Sequence, residues 1–309
     1  MQKNTPMKIL KKVVLTILVI LVAATAGGYI YFNLKFTPDK NYLKVEKESG
    51  FIPLTWLGKE KNALLLPIHF SNDTITYYLQ LDTGSPYTVF YAKAIQNIPQ
   101  ISIHKETAKT SFYLGKTKVT SDHFKIYNMG SENKDSLKII GTIGADILED
   151  RKTIINFKEN YMVLNVSKVP RIFQKKLFDF QFKKRKIILN GLLKAKEEKF
   201  LLDTGTSAYE LLTNKEVWNN LKGPNSKIII EKSEQSWNNV LTTYTANCKQ
   251  KIQIANVEIP LNNVTYVEGF SQAQYAMMKF SGMTGMLGNK IFSNNILYID
   301  CTQNKIAIE

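Results

Sequence analysis

The sequence contains few of the residues that build metal, redox and nucleophilic sites. Its 309 residues include two cysteines, Cys248 and Cys301, and three histidines, His69, His104 and His123. No Cys-x-x-Cys pair occurs, and no histidine stands in a zinc-binding pattern, so we expect no metal site. The two cysteines could form one disulfide in an oxidising compartment or remain two buried thiols, and the sequence leaves both open.

Motifs for phosphate binding and for serine nucleophiles are also missing. Residues 115–117 (Gly-Lys-Thr) end like a phosphate-binding loop, but position 110 is a threonine where such a loop begins with glycine. The glycines at 282, 285 and 288 have the wrong spacing for a dinucleotide fingerprint, and no Gly-x-Ser-x-Gly elbow is present. We therefore expect a protein without cofactors.

Acidic residues are scarce relative to basic ones. The chain has 41 lysines and arginines against 26 acidic residues, a formal charge of +15. The excess is dispersed apart from one cluster, formed by Lys175, Lys176, Lys183, Lys184, Arg185 and Lys186. Because no nucleic-acid module accompanies it, we interpret this charge as a solvated lysine-rich surface and expect no nucleic-acid partner. The richness in lysine, asparagine and isoleucine fits a low-GC bacterium.

One long hydrophobic run stands near the N-terminus. Residues 13–32 form 20 positions without a charge, which is long enough to cross a bilayer. Four lysines precede the run and one follows it, so the positive-inside rule leaves the rest of the chain outside the cytoplasm, in the periplasm or at the cell exterior. A cleaved signal peptide is the alternative, because residues 24–26 (Ala-Thr-Ala) resemble a cleavage site. The run continues past that site, which favours a retained anchor.

Past this run the pattern is mostly β, because long helical periodicity is scarce. Residues 214–221 and 272–279 are the best candidates for short helices. Short apolar stretches bounded by turn residues predict strands. These stretches are residues 51–56, 64–70, 75–81, 112–114, 124–127, 153–157, 162–166, 186–189, 199–202, 227–230, 251–254, 264–267 and 295–299.

Two segments of the chain are nearly the same. Residues 79–85 read Leu-Gln-Leu-Asp-Thr-Gly-Ser, and residues 200–206 read Phe-Leu-Leu-Asp-Thr-Gly-Thr. Each is an apolar strand that ends in Asp-Thr-Gly and a hydroxyl residue. This repeat predicts two similar half-structures, each of which supplies one carboxylate, Asp82 or Asp203, to a shared site.

Two further elements repeat in the same order. Residues 139–148 and 283–292 both read as a strand, a Gly-x-x-Gly element and a short helical turn. Residues 155–160 and 299–304 then read as closing hairpins. Duplication at this length indicates two lobes and not a solenoid, which needs at least three shorter units.

Together these motifs resemble the pepsin-like aspartic proteases and, half by half, the retropepsins. The resemblance covers about residues 50–309. It implies a mainly β, bilobal pepsin-like fold with two duplicated β-barrel-like lobes, here preceded by one transmembrane helix. It also implies that a strand threads the aspartate loop at Gly141 and at Gly285. The organisation we expect is a basic cytoplasmic tail (1–12), an anchor (13–34), a stalk (35–50), an N-terminal lobe (51–168), a linker (169–183) and a C-terminal lobe (184–309).

The chemistry of two neighbouring carboxyl groups agrees with this resemblance. Two close carboxylates cannot both ionise freely, so one can serve as acid while the other serves as base. Asp82 and Asp203 would activate a water molecule for peptide hydrolysis. Around them, Gly84 and Gly205 let the backbone approach closely. Ser85 and Thr206 would bind the outer carboxylate oxygens through their hydroxyls, and Thr83 and Thr204 would bond across the lobe interface.

The flap that closes over the site in this family is less well matched. Residues 101–111 correspond to it but contain no tyrosine, and Trp237 lies in the equivalent stretch of the second lobe, as a cleft cover or as a core residue. We therefore expect a membrane-anchored, monomeric aspartic endopeptidase that acts on proteins or peptides. The alternative is a non-catalytic bilobal domain that binds or senses peptides.

Overall fold

The computed structural model of the chain describes residues 5–129, 137–236, 239–270, 275 and 281–309. Strands account for 45% of the structure and helices for 17%, which confirms the predicted mainly β class. Contacts divide the chain into two units, Met1–Lys40 and Asn41–Glu309. All elements of the candidate site belong to the second unit.

The first unit is one helix, α1 (Thr5–Lys35), which contains the apolar run. Its segment Leu10–Lys35 has a mean hydropathy of 2.4 over its most apolar window. By length and composition this segment is able to cross a membrane, a criterion that a secretion signal near the N-terminus also meets.

The strands of the second unit follow the duplication in the sequence. Those of the first half are β1 (Lys44–Val45), β2 (Ile52–Pro53), β3 (Thr55–Leu57), β4 (Ala63–Ile68), β5 (Tyr77–Leu81), β6 (Val89–Tyr91), β7 (Ser102–His104), β8 (Thr107–Leu114), β9 (Thr117–Tyr127), β10 (Ile139–Ile143), β11 (Lys152–Asn156) and β12 (Tyr161–Leu164). Those of the second half are β13 (Phe178–Asp179), β14 (Gln181–Lys183), β15 (Lys186–Leu193), β16 (Lys196–Leu202), β17 (Leu211–Thr213), β18 (Ile228–Ser236), β19 (Asn239–Ile254), β20 (Val257–Glu268), β21 (Gly285–Leu287), β22 (Ile296–Asp300) and β23 (Lys305–Ile308).

Each half builds one large sheet with the same order of strands. The first sheet runs β3-β4-β5-β10-β6-β9-β8-β7, with β1 paired to β9. The second runs β14-β15-β16-β21-β17-β20-β19-β18. Position by position, the two orders match, so the repeat seen in the sequence is a repeat of topology.

The strand that carries each Gly-x-x-Gly element threads through the aspartate loop, as the resemblance implies. In the first half, β10 lies parallel to β5 and antiparallel to β6, and Gly141 is opposite residues of both strands. In the second half, β21 lies between β16 and β17 in the same way, with Gly285 opposite both. The loop that joins β5 to β6, or β16 to β17, therefore passes around an intervening strand.

A third sheet joins the two halves. Its order is β13-β23-β22-β11-β12-β2, and its central pair is β11 with β22, in which Ile154 is opposite Tyr298. The closing hairpins predicted from the repeat are β11–β12 and β22–β23. Because a hairpin from each half meets in this sheet, the halves share one continuous hydrogen-bonded layer.

The hydrophobic core follows the pleat of the strands. Along β5, Tyr77, Leu79 and Leu81 are buried while the residues between them are partly exposed, as expected when successive side chains alternate between faces. Cys248 and Cys301 are buried free thiols. The structure thus favours the second of the two alternatives that the sequence left open for the cysteines.

Two predicted connecting segments are partly folded. In the predicted stalk (35–50), residues from Asn41 onward belong to the compact unit, because β1 pairs with β9 and the Asn41 side chain donates to the Asp146 carbonyl oxygen at 2.8 Å. The predicted linker (169–183) contains β13 and β14, which pair with β23 and β15. These strands were not predicted because their sequences are polar. They lie at the edges of their sheets, where one side of a strand faces water.

The helices described in the second unit are short, as expected. Helix α2 (Ala92–Ile95) was not predicted, whereas α3 (Lys215–Leu221) coincides with the candidate at 214–221 and is capped by the Asn214 side chain, which accepts the Val217 N–H at 2.9 Å. Single 3₁₀ turns follow the Gly-x-x-Gly elements, at Ala145–Ile147 and Asn289–Phe292. The candidate at 272–279 lies outside the described residues except for Tyr275.

Hairpins at the positions expected for flaps differ in length between the halves. In the first half β7 has 3 residues and β8 has 8, and this hairpin falls in the stretch predicted for the flap. In the second half β18 has 9 residues and β19 has 16. Trp237, considered as a cleft cover, lies outside the described residues.

Candidate active site

Asp82 and Asp203 meet where the two halves face each other. Asp82 directly follows β5 and Asp203 directly follows β16. The backbone N–H of Asp82 donates to Ile143 O at 2.9 Å, and that of Asp203 donates to Leu287 O at 2.9 Å. These equivalent bonds fix each aspartate to its threading strand, and the two carboxyl groups are hydrogen-bonded to each other.

Each aspartate rests against the glycine of the opposite loop. A Cβ atom built on Gly84 would lie 2.5 Å from Asp203 Oδ1, and one built on Gly205 would lie 2.5 Å from Asp82 Oδ1. Such distances leave no room for any side chain. The glycine of the Asp-Thr-Gly motif is therefore required by the other half, which explains why both copies of the motif carry it.

The two threonines form the expected bonds between the halves. Thr83 Oγ1 accepts the Thr204 N–H at 3.0 Å and donates to Leu202 O at 2.8 Å. Thr204 Oγ1 accepts the Thr83 N–H at 2.9 Å and donates to Leu81 O at 2.9 Å. Both threonines are fully buried. Each hydroxyl thus accepts one hydrogen bond and donates one, both to the opposite half. These bonds fix the relative position of the two aspartate loops.

The hydroxyls of Ser85 and Thr206 do not bind the carboxylates, contrary to our prediction. Ser85 Oγ donates to Tyr87 O at 2.9 Å, and Thr206 Oγ1 donates to Asp203 O at 2.9 Å. A hydroxyl has one hydrogen to donate, and in these tight turns a backbone carbonyl is the nearer acceptor. The backbone supplies the carboxylate donors instead: Ser85 N–H binds Asp82 Oδ1 at 3.0 Å, and Gly205 N–H binds Asp203 Oδ1 at 2.9 Å.

The electrostatic environment favours a proton on the pair. Burial, followed by the negative charge of Asp82, raises the pKa of Asp203 from 3.8 to about 7. Burial also raises the pKa of Asp82, against the opposing effects of Lys186 and of the N–H groups of Ser85 and Gly84. Asp203 is 7% exposed, whereas Asp82 is only partly buried. The more deeply buried Asp203 is thus the better holder of a shared proton.

Sequence reasoning missed a lysine beside this pair. Lys186 begins β15, and its ammonium donates to the carbonyl oxygen of Gly84 in the other half. Burial lowers the pKa of Lys186, while the charges of Asp203 and Asp82 act in the opposite direction. The sequence showed Lys186 only as a member of the basic cluster. The signal available in the sequence was the position of Lys186 at the start of a predicted strand. That strand, β15, pairs with β16, which leads to Asp203.

A second member of that cluster is buried, whereas Lys186 is partly buried. Arg185 is 4% exposed, and its guanidinium binds Glu149 Oε2 of the first half at 2.9 Å. The interpretation of the whole cluster as a solvated surface is therefore wrong for these two residues. They sit at the tight β14–β15 turn, which reaches across to the first half, whereas Lys183 on the same hairpin is exposed as predicted.

The loop after Asp82 is held by a buried carboxyl group of its own. Asp146 accepts the Thr88 N–H and the Thr88 hydroxyl, each at 2.7 Å. Burial raises the pKa of Asp146 to about 6. Asp146 follows the Gly-x-x-Gly element, so the threading strand and the loop around it are linked by side chains as well as by backbone.

Within the described residues, no cluster of histidine, cysteine and acidic side chains could hold a metal ion.

Comparisons with known proteins give a structural likeness only. No protein-family model matches the sequence, and no curated protein matches it in sequence. Among solved structures, an aspartic proteinase from Irpex lacteus superposes with a TM-score of 0.51 at 10% identity, over 84% of this chain and 96% of the proteinase. The two Asp-Thr-Gly loops, the matched sheets and this likeness lead to one conclusion: the chain has the bilobal fold of the pepsin-like aspartic proteinases.

Proposed function

We propose that the chain is an aspartic endopeptidase, which hydrolyses peptide bonds with a water molecule activated between Asp82 and Asp203. The observation that carries the proposal is the hydrogen-bonded contact between these two carboxyl groups, each backed by the glycine of the other half. A fold alone does not establish an activity. The retention of a complete, mutually supported carboxyl pair is the additional support.

The roles of the two aspartates follow from their surroundings. Asp82 accepts backbone N–H bonds from Gly84 and Ser85, which favour its ionised form, so it serves as general base toward the water. Asp203 is more deeply buried and holds the proton, which it gives to the peptide carbonyl oxygen as the water attacks. The tetrahedral intermediate then collapses: Asp82 gives the proton that it took from the water to the nitrogen, the C–N bond breaks and releases the amine, and the proton of the former carbonyl oxygen returns to Asp203. These are assignments within a coupled pair, which titrates as a unit.

The substrate class and location follow from less direct observations. The apolar helix α1 suggests that the enzyme is held at a membrane, and the lysines before its apolar run favour an extracytoplasmic catalytic unit. Substrates would then be secreted or membrane-bound proteins, since tethering raises their effective concentration near that surface.

Inhibitor binding separates an enzyme from a peptide-binding domain on the same fold. A statine-type peptide carries a hydroxyl group that imitates the tetrahedral intermediate, so an enzyme binds it far more tightly than the matched peptide without the hydroxyl. We expect the full-length protein in detergent micelles to cleave an unfolded protein and to show this preference by calorimetry. Equal affinity for both peptides, without cleavage between pH 3 and 7, would support the binding domain.

Fractionation tests the location. Retained α1 predicts that alkaline carbonate leaves the protein in the membrane fraction and that a protease added outside spheroplasts degrades the catalytic unit. Release of a soluble protein whose N-terminus lies just after Ala26 would instead identify a cleaved signal.

A further inference from the structure

Lys186 places a positive charge at the carboxyl pair. Its ammonium donates to Gly84 O, and Gly84 is the residue whose Cα faces the Asp203 carboxyl group so closely that no side chain fits between them. Gly84 N–H in turn donates to Asp82. Lys186 therefore contacts the residue that lies between the two carboxyl groups, and its charge interacts with both.

This charge breaks the symmetry of the two halves. Leu66 on β4 and Leu189 on β15 occupy equivalent positions, because each pairs with the residue three positions before its aspartate. Counting three residues back gives Ala63 in the first half and Lys186 in the second, and each of these closes a hairpin. Ala63 is buried and uncharged. The duplicated frame thus holds a cation on one side only.

In the described part of the chain, charged groups from both halves act on this lysine. Asp82 and Asp203 are the groups whose charges act on the pKa of Lys186. Beside the pair, Tyr91 is affected by the charge of Asp82, and its hydroxyl is bonded to Thr142. The neighbouring Arg185 is engaged with Glu149, and its charge also acts on Asp146.

We propose that Lys186 is a positioning residue of the site: its ammonium compensates the negative charge of the Asp82–Asp203 pair and sets the pH range in which the pair holds a single proton. Singly protonated, the pair carries one negative charge, and the cluster with Lys186 is then neutral overall. Without the lysine, only the doubly protonated pair is neutral, and burial favours that form. Lys186 thus lets the pair remain singly protonated down to a lower pH than it would without the lysine.

The measurement is a titration of the carboxyl groups themselves, which does not depend on cleavage. Full-length protein in micelles is labelled with ¹³C at the aspartate carboxyl carbons, and the signals are assigned with Asp82→Asn and Asp203→Asn. Lys186→Gln removes the charge but can still donate to Gly84 O. We expect both titration steps of the pair to move to higher pH by about 1 to 3 units in this variant, the range for loss of a close opposite charge.

Two controls separate charge from structure. Lys186→Arg keeps the charge and should titrate close to the wild type. Lys183→Gln removes an exposed lysine from the same hairpin and should leave the titration unchanged. A Lys186→Gln protein that is folded and titrates like the wild type would overturn the proposal.

The reciprocal measurement covers the case in which Lys186→Gln does not fold. Coupling is mutual, so Asp203→Asn must lower the pKa of the Lys186 ammonium, observed by ¹⁵N labelling of lysine. An unchanged lysine titration would contradict the proposal.

The consequence of the Lys186 charge for catalysis, a pH–rate profile displaced to higher pH in Lys186→Gln, rests on the proposed function. If the titrations shift as expected but no substrate is cleaved, the proposed function fails and the role of Lys186 stands.

Discussion

Thr83 and Thr204 exchange hydrogen bonds, because the hydroxyl oxygen of each accepts the backbone N–H of the other, at 3.0 and 2.9 Å. Each hydroxyl also donates to a strand carbonyl of the opposite half. Four buried bonds therefore connect the two aspartate loops directly. The geometry of the carboxyl pair depends on this connection, since the pair is formed by residues of different halves.

Removal of one threonine hydroxyl should weaken the whole unit. Thr83→Val removes the acceptor of the Thr204 N–H and the hydroxyl donor of the Leu202 carbonyl in a fully buried place, which we expect to lower the free energy of unfolding by about 2 to 4 kcal/mol. Urea unfolding in micelles measures the change. Thr83→Ser keeps the hydroxyl and should retain most of the stability. Equal losses in the two variants would mean that the hydrogen bonds are not the cause.

A methyl group on Gly205 should disable the site. Its Cβ would lie 2.5 Å from Asp82 Oδ1, so the Asp82 carboxyl group must leave its position in the pair. Because displacement by about 1 Å can cost about 100-fold in rate, we expect Gly205→Ala to lower kcat/KM by at least that factor. Gly223→Ala is the matched control, since its Cβ would lie 2.7 Å from the Ser226 hydroxyl and 3.6 Å from Asn247 O, with neither carboxyl group of the pair among its neighbours. Similar activity in both variants would contradict the observed contact.

The ion pair between Arg185 and Glu149 should contribute to holding the halves together. Glu149→Gln removes the carboxylate that binds the guanidinium of Arg185, which is 4% exposed, and we expect a loss of about 3 kcal/mol in unfolding free energy. Asp179→Asn removes an exposed partner of Lys305 and should change stability by less than about 1 kcal/mol. Comparable losses of unfolding free energy for the two substitutions would show that the buried ion pair stabilises the fold no more than an exposed one.

The elevated pKa of Asp203 gives stability a defined pH dependence. The folded chain binds this proton more tightly than the unfolded chain, so the free energy of unfolding falls as pH rises from about 4 to about 7. Asp146, whose pKa is raised to about 6, acts in the same direction at lower pH. Asp203→Asn should therefore flatten the curve most between about pH 5 and 6, where the folded chain still holds this proton and the unfolded chain has lost it. Urea unfolding at a series of pH values tests this, and identical slopes in both proteins would refute it.

Much of the fold was accessible from the sequence because the duplication left the same pattern twice. The Asp-Thr-Gly loops and the closing hairpins follow from matched motifs, and the threading strands at Gly141 and Gly285 follow from the family resemblance that those motifs carry. The strands that lead into the two Asp-Thr-Gly motifs, β5 and β16, were accessible for the same reason. Strands at sheet edges were not, since β13 and β14 are short and polar and owe their conformation to β23 and β15.

The details of the site were less predictable because they depend on contacts between the halves. Ser85 and Thr206 have the right side chains to bind a carboxylate, but local turn geometry directs their hydroxyls to backbone carbonyls. Lys186 and Arg185 look like surface residues in a basic run. Arg185 is buried and Lys186 partly buried because the β14–β15 turn reaches the first half, which no local pattern records.

The most direct test of the account is the rate of peptide cleavage when either member of the pair is made amide. Full-length wild type, Asp82→Asn and Asp203→Asn are incubated in micelles with an unfolded protein from pH 3 to 7, beside Asp179→Asn as a matched surface control. Since the pair supplies both the acid and the base, each pair variant should lose about 1,000-fold or more in kcat/KM, while the control keeps the wild-type rate. Cleavage by either pair variant at the wild-type rate, or no cleavage by the wild type at any pH, would contradict it.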